Sequence, residues 1–456
     1  MNHAPKFIAA AFFSAALGLL LTRPDILTPT ALHAAALGLF CLGLWASGIV
    51  PEFLASIIFF LFAMLFAVAP AEVIFSGFYS AALWMVFGGL VLAVAVKMTG
   101  LGARIARFLA PKFGATYLGI ITGVVVISVA LAFVMPATMG RVMLLAPIIL
   151  ALADRFGFGE GSRGRTGMAL ALGFGTFIPP FAIMPANVPN LILIGAAETL
   201  YGVVPVYGNY LLLHFPVLGL LKAGAIILMI TVVFSDTPGP VEPEAQTKPD
   251  FEEKKLGIIL MIALALWMTD FAHHVSPAWV ALGVAVLVML PGFGIVTTKA
   301  FTEKVNLTPM LYVAGVMGLG AMISESGLGG LLGTFLIDFA DLRPGQDAWT
   351  FGVMAVLGAV IGPFVTNPGM PAVLAPLAGE IAQAAGLPVS TILMMMVMSI
   401  SMVTLPFQAA PLVVAAQILG VKMADSLKAC LILMVITLTV LVPLDYYWWR
   451  LLGVLN

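Results

Sequence analysis

Charge is scarce in this sequence. Asp, Glu, Lys and Arg supply 9% of its 456 residues, against about a quarter in soluble domains. That scarcity excludes a soluble globular enzyme, a disordered chain and a nucleic-acid binder, all of which need a charged surface. The 20 Lys and Arg nearly cancel the 21 Asp and Glu, so net charge points to no partner of either sign. Cysteine is rarer still. Cys41 and Cys430 lie in distant apolar runs, which excludes a disulfide framework and a cysteine metal site. The five histidines, His3, His33, His214, His273 and His274, lack the spacing of haem or zinc ligands. HExxH, GxSxG and GxxxxGK[ST] are all missing, so neither an enzyme nor an organic cofactor is expected. What the sequence has in excess is apolar surface: 62% hydrophobic residues and a mean hydropathy of +1.14. No soluble core hides that much, so the solvent is a bilayer.

Nine stretches are apolar enough to span as helices: 7–21, 32–50, 53–69, 80–98, 211–234, 255–272, 277–291, 308–324 and 427–449. The first has no small-residue cleavage site ahead of a polar sequence and is read as a membrane helix. Four other apolar regions, 117–153, 167–199, 349–385 and 390–420, are interrupted. The interruptions are Met135-Pro136-Ala137-Thr138-Met139-Gly140, Pro179-Pro180 through Pro189-Asn190, Thr366-Asn367-Pro368-Gly369, and Leu405-Pro406 through Pro411. Backbone freed from a helix at membrane depth must be buried in protein or line a wet cavity, and transporters use such breaks to bind substrate and ions. The first and third regions read as re-entrant hairpins, the second and fourth as spans unwound in the middle. The fold class is therefore an all-α polytopic membrane protein of about eleven spans plus two re-entrant hairpins.

Charge orients this arrangement. With the N-terminus in the cytoplasm, fifteen of the 20 Lys and Arg fall inside, Arg23, Arg343 and Arg450 fall outside, and Arg141 and Lys222 lie within membrane segments. That obeys the positive-inside rule. The Pro- and charge-rich stretch 235–255 reads as a cytoplasmic linker, and the two halves beside it resemble each other. Lys97–Gly102 aligns with Ser324–Gly329 at an offset of 227, and Leu145-Ala146-Pro147-Ile148 with Leu374-Ala375-Pro376-Leu377 at 229. The second broken span aligns either through Pro180–Pro185 with Pro406–Pro411 or through Pro189 with Pro411. Opposed orientation makes this an inverted-topology repeat, whose binding site lies near the midplane. The expected organisation is scaffold helices over 1–79, a first repeat over 80–234, the linker 235–255, scaffold spans over 256–307 and a second repeat over 308–456.

This order of spans and hairpins, with Gly88, Gly89, Thr99, Gly100 and Leu101 in sequence, resembles the divalent anion/sodium symporter family of the ion-transporter superfamily. The resemblance covers nearly the whole chain. In that family each hairpin tip carries Ser-Asn-Thr, followed eight residues later by Pro. Anchored on Pro147 and Pro376, those positions are Ala137-Thr138-Met139 and Thr366-Asn367-Pro368. The family's Thr-Pro-Pro-Asn falls on Asn187-Val188-Pro189-Asn190, and its partner on Ala409-Ala410-Pro411-Leu412. The resemblance implies a secondary active transporter of a small dianion, a dicarboxylate or sulfate-like oxyanion, coupled to a cation. It further implies an elevator mechanism, a homodimer and a bacterial inner membrane. Exchange and proton coupling are alternatives within that class, and an anion channel is the alternative outside it.

The substrate-binding candidates carried by the resemblance are Thr138, Met139, Gly140, Arg141, Asn187, Pro189, Asn190, Thr366, Asn367, Pro368, Gly369 and Pro411. Sodium, the coupling ion the family uses, would take oxygens from Thr366 and Asn367, and from Thr138 at the first tip. Arg141 has three readings. Its planar fork suits carboxylate or sulfate; its charge could stand where the family places the first sodium; or it could snorkel to the surface or pair with Asp154. Lys222 sits mid-span, where it pairs with a carboxylate, titrates or serves a structural role. Glu198, Asp270, Glu325, Glu380 and Asp445 fall near span ends and are expected to be solvated.

Overall fold

The computed structural model describes residues 4–47, 49–101, 104, 116–135, 137–239, 250–365 and 367–455. Among these the chain is helical and contains no strand. This is what a bilayer demands: with no water to satisfy backbone groups, an apolar run closes its own hydrogen bonds. The elements named below are α1 (Ala4–Thr22), α2 (Pro29–Ser47), α3 (Glu52–Leu65), α4 (Ala81–Thr99), α5 (Tyr117–Val134), α6 (Thr138–Arg155), α7 (Arg163–Phe177) and α8 (Val188–Tyr201). They continue with α9 (Tyr207–Val233), α10 (Phe251–Met268), α11 (Pro277–Met289), α12 (Thr308–Glu325), α13 (Leu328–Ala340), α14 (Asp347–Ile361), α15 (Met370–Leu374, running on to Ala385), α16 (Val389–Ile400), α17 (Ala410–Leu419) and α18 (Met423–Leu451). Three of them, α5, α9 and α18, are single helices long and apolar enough to cross a membrane. Each of the nine apolar stretches read as a span coincides with a helix to within a few residues.

The interrupted regions break where Pro, Gly and Asn break them. α5 ends at Met135, whose extended backbone (φ −134°, ψ 91°) cannot continue a helix, and α6 starts again at Thr138. Between α7 and α8 the chain makes two short 3₁₀ turns, Pro179–Ala182 and Met184–Ala186. In the second half, α14 gives way to a tight turn at Gly362–Phe364 before α15, and α16 and α17 are separated by the turn Pro406–Gln408. The turns Met184–Ala186 and Pro406–Gln408 each lie one residue before a helix whose second residue is proline, Pro189 and Pro411. Of the two registers expected for the repeat, the Pro189–Pro411 one brings these turns into correspondence.

Packing interleaves the two halves. α17 lies against α6 and α7, and α8 lies against α15 and α16, so the second half of each broken span packs on the first half of the other. Glycine permits this approach. A Cβ on Gly173 of α7 would stand 2.6 Å from Leu412 Cδ1, and one on Gly358 of α14 would stand 2.2 Å from the Ser399 carbonyl oxygen of α16. Outside this centre, α1 pairs with α2, α3 with α12, and α4 with α11. Cys41 and Cys430 are free and buried.

Two expectations about charge are overturned. Asp445 is not solvated; it is fully buried, because α18 widens into a π-helix at Thr437–Leu441 and its last turns fold onto α9 and α14. Glu198 is half-buried and receives Ser80 Oγ at 3.0 Å and the Ala81 N–H at 3.1 Å, where it neutralises the positive start of α4.

Candidate functional site

Arg141 is the most constrained polar residue in the first half. It lies in the first turn of α6, one helical turn past the break, and is fully buried. Its terminal nitrogens reach five oxygens: the carbonyls of Met135 (2.5 Å), Thr176 (2.7 Å) and Ala186 (3.1 Å), Thr138 Oγ1 (3.1 Å) and Asn187 Oδ1 (3.3 Å). All five are uncharged. Asp154, the expected surface partner, instead accepts from Arg165 at 2.8 Å, and full burial rules out snorkelling. The guanidinium therefore closes both broken segments around itself. Thr138 donates to Asn187 Oδ1 at 2.6 Å, and Asn187 Nδ2 donates to the Phe177 carbonyl at 2.9 Å.

The remaining first-half candidates surround this knot without joining it. Asn190, fully buried, donates to the carbonyls of Phe181 (2.9 Å) and Ile183 (3.2 Å), and its Oδ1 has no partner. Pro189 is buried, Gly140 half-buried and Met139 exposed. A Cβ on Gly140 would meet Met135 Cε at 2.7 Å, so the glycine lets the tip fold back on itself.

In the second half, Thr366 lies outside the described residues. Asn367 is fully buried; its Nδ2 donates to Ile400 O (2.6 Å) and Met402 O (3.2 Å), its backbone N–H to Gln408 O (3.3 Å), and its Oδ1 is unpartnered. Asn367 thus ties the tip to the break after α16, a positioning task in addition to any ligand contact. Pro368 is half-buried, and Gly369 and Pro411 are buried.

Two residues were not on the sequence-based candidate set. Gln408 Oε1 accepts the N–H groups of Thr404 (2.7 Å) and Leu405 (2.5 Å) and so shapes the second break. Lys222 of α9, buried to 1% exposure, donates to Ser401 Oγ at 3.0 Å and Ser401 O at 3.3 Å. Asn367 and Lys222 together cap three consecutive carbonyls, those of residues 400, 401 and 402. A mid-span lysine was a visible signal for Lys222, but its destination was not.

Each break also gathers helix N-termini. α6 and α8 begin at the first, α15 and α17 at the second. Their unpaired N–H groups carry partial positive charge toward the breaks. The carbonyls named above are taken up by the protein's own donors, Asn190 Oδ1 and Asn367 Oδ1 are left unpartnered, and no carboxylate is among Arg141's partners.

The sodium:sulfate symporter transmembrane region matches residues 2–455. The chain belongs to the sodium:sulfate symporter family. The family and its named relatives are transporters, not enzymes. A curated relative from Cupriavidus necator, named only a membrane protein, is 22% identical over 61% of this chain and 56% of its own length. The sodium-dependent dicarboxylate transporter SdcS of Staphylococcus saprophyticus is 23% identical over 70% of this chain and 67% of its own. The chain thus spans little more than half of the first of these relatives. Among solved structures, the Alcanivorax borkumensis YdaH transporter, 14% identical, superposes with a TM-score of 0.55 over 93% of this chain and 99% of its own. At that identity the likeness is one of fold: an all-helical membrane transporter.

Proposed function

We propose that this member of the sodium:sulfate symporter family is a secondary active transporter of small dianions, dicarboxylates or sulfate-like oxyanions. The observation that carries the reading is Arg141: a fully buried guanidinium whose partners are all neutral oxygens. A charge placed inside a membrane segment costs about 2.5–3.5 kcal/mol even on insertion scales. An anion arriving between the breaks, facing the N-termini of α6, α8 and α17, supplies the missing counter-charge. SdcS, by its name, carries dicarboxylates with sodium, which supports the substrate class.

The sodium site implied by the family at the first tip does not fit these residues. Three carbonyls, a hydroxyl and an amide oxygen would suit a sodium ion there, and Arg141 already holds them. At the second tip the Asn367 amide nitrogen and the Lys222 ammonium take up the carbonyls of residues 400, 401 and 402, and Asn367 Oδ1 stays unpartnered; we read this tip as sodium-free as well. In this reading Arg141 stands in for the first sodium rather than gripping substrate with its fork, and Thr138 and Asn367 are positioning residues of the tips. The two helix–break–helix pairs, α5–α6 and α14–α15, are taken as the re-entrant hairpins of an inverted repeat with about eleven spans. Interleaved packing of α6, α7 and α17 with α8, α15 and α16 supports them as one transport unit moving as an elevator. A homodimeric state and a bacterial inner-membrane location with a cytoplasmic N-terminus belong to the same reading.

The test is counterflow in proteoliposomes. Vesicles loaded with succinate, malate or sulfate, in sodium-free medium, should accumulate trace labelled anion of the same kind. Failure of all three in both the presence and absence of sodium would overturn the substrate class.

A further inference from the structure

Beyond the first tip, a second group of buried charges is left without a task. α9 and α18 are the only described helices that widen into π-helix, at Phe215–Leu221 and Thr437–Leu441, and the widened segments pack on each other. π-Bulges recur at functional sites, because one extra residue per turn re-aims the side chains beside them. Here they bring three titratable residues to the crossing. His214 immediately precedes the first bulge, Lys222 immediately follows it, and Asp445 follows the second.

All three are buried, to 0%, 1% and 0% exposure. Lys222 and Asp445 face the same crossing, but neither an ion pair nor a hydrogen bond joins them, and both carboxylate oxygens are left without a hydrogen bond. The Trp449 indole faces the carboxylate without closing a hydrogen bond. Neither ring nitrogen of His214 has a partner; its ring lies 4.5 Å from that of Tyr210 and 5.7 Å from that of Trp449. A pair kept only for stability would close its bonds, since a buried ion pair offsets its desolvation only with good geometry. This one is left open on the carboxylate side.

Other titratable groups on the packed elements are committed elsewhere or peripheral. Tyr210 donates to Phe181 O at 2.7 Å. Arg450 rests on the Tyr446 ring at 6.0 Å and Lys428 on Phe234 at 5.9 Å. Asp347 begins α14 and Tyr117 begins α5, while Tyr207 begins α9 and Cys430 is a buried thiol of α18.

We propose that Asp445, opposed to Lys222 at the crossing of the two π-widened helices, is the proton-binding site that couples anion movement to a proton gradient. The proposal rests on the sodium-free reading above and names the cation that replaces sodium. One proton from the aqueous side converts the Asp445 carboxylate to the acid, and no other bond changes. The Lys222 ammonium keeps its Ser401 contacts but loses its counter-charge. It then presents a full positive charge at the second break, where the anion neutralises it. Proton and anion each strengthen the other's binding, as linkage requires, and they cross together.

Two measurements on the full chain in lipid test this. In infrared difference spectra between high and low pH, wild type should gain a carboxylic-acid C=O band on acidification. Asp445→Asn should lack that band, Lys222→Gln should move it to a different pH, and His214→Gln should keep it. Asp445→Asn leaves Lys222 unpaired, so the charge-free double variant Lys222→Gln/Asp445→Asn is the control for folding, and it too should lack the band. Identical pH-difference spectra for wild type and the double variant would overturn the proposal. In proteoliposomes, succinate uptake by wild type should rise when the outside is made acid, and the rise should be lost in Asp445→Asn. Wild-type succinate uptake indifferent to the gradient would also overturn it. Absence of succinate uptake under every condition would count against the substrate class instead, leaving the infrared result to decide the proton site.

Discussion

Arg141 ties together the oxygens of the first break. Removing it strips its hydrogen bonds from the buried carbonyls of Met135 and Thr176 and leaves Ala186 O to Thr138 Oγ1, and each buried acceptor left bare costs about 1–3 kcal/mol. Arg141→Ala should therefore lower the thermal midpoint in detergent and lose most transport. It should also expose an oxygen cage fit for a small cation, so added sodium should raise that midpoint in the variant and leave wild type unmoved. Arg141→Lys keeps the charge and three donors and should retain part of the transport. Complete loss in Arg141→Lys, with no sodium effect in Arg141→Ala, would return Arg141 to bidentate anion binding. The sequence marked Arg141 as anomalous because charge is so rare here, but it could not show which groups the guanidinium meets. Most of its partners are backbone carbonyls, which carry no residue-type signature. The same limit hid the Lys222–Ser401 contact.

Among the elements, helix positions and breaks were legible and helix widths were not. Uninterrupted apolar runs mark where a helix must close its own bonds, and Pro, Gly and Asn mark where it cannot, so the breaks near Met135, Pro179, Thr366 and Pro406 stood out. Pro216 lies in the first turn of the π segment of α9 and Pro443 just past that of α18, but the flanking runs are apolar on every face, so no shift of period betrays the extra residue. Asp445 was misjudged for that reason: its place near a predicted span end suggested water, while the turns after the π segment pack on α9 and α14 and bury it. Close packing between α14 and α16 gives a sharp test of the packing within the second half. Gly358→Ala drives a Cβ to 2.2 Å from Ser399 O, whereas Gly352 in the same helix has open space. Gly358→Ala should lower stability by about 1–3 kcal/mol, the usual penalty of overpacking, and Gly352→Ala should not. Equal thermal midpoints for the two variants would mean that α14 does not sit against α16 as described.

For the whole molecule, family and fold class follow from composition and the order of breaks, while the proposed substrate class and coupling rest on contacts. The proposed inverted repeat makes a topological demand: single cysteines at 245 and 345, in a background lacking Cys41 and Cys430, should react with an impermeant reagent from opposite sides of the membrane. Reaction of both from one side would remove the inversion. The central claim is that the protein's own side chains supply the positive charge that sodium supplies elsewhere in the family, Arg141 at the first break and Lys222 at the second. The direct measurement is initial uptake of labelled succinate into proteoliposomes across a series of sodium concentrations, with choline as replacement and pH held equal on both sides. The account predicts a flat response down to nominally sodium-free medium. A steep rise requiring two or more sodium ions per cycle would contradict it.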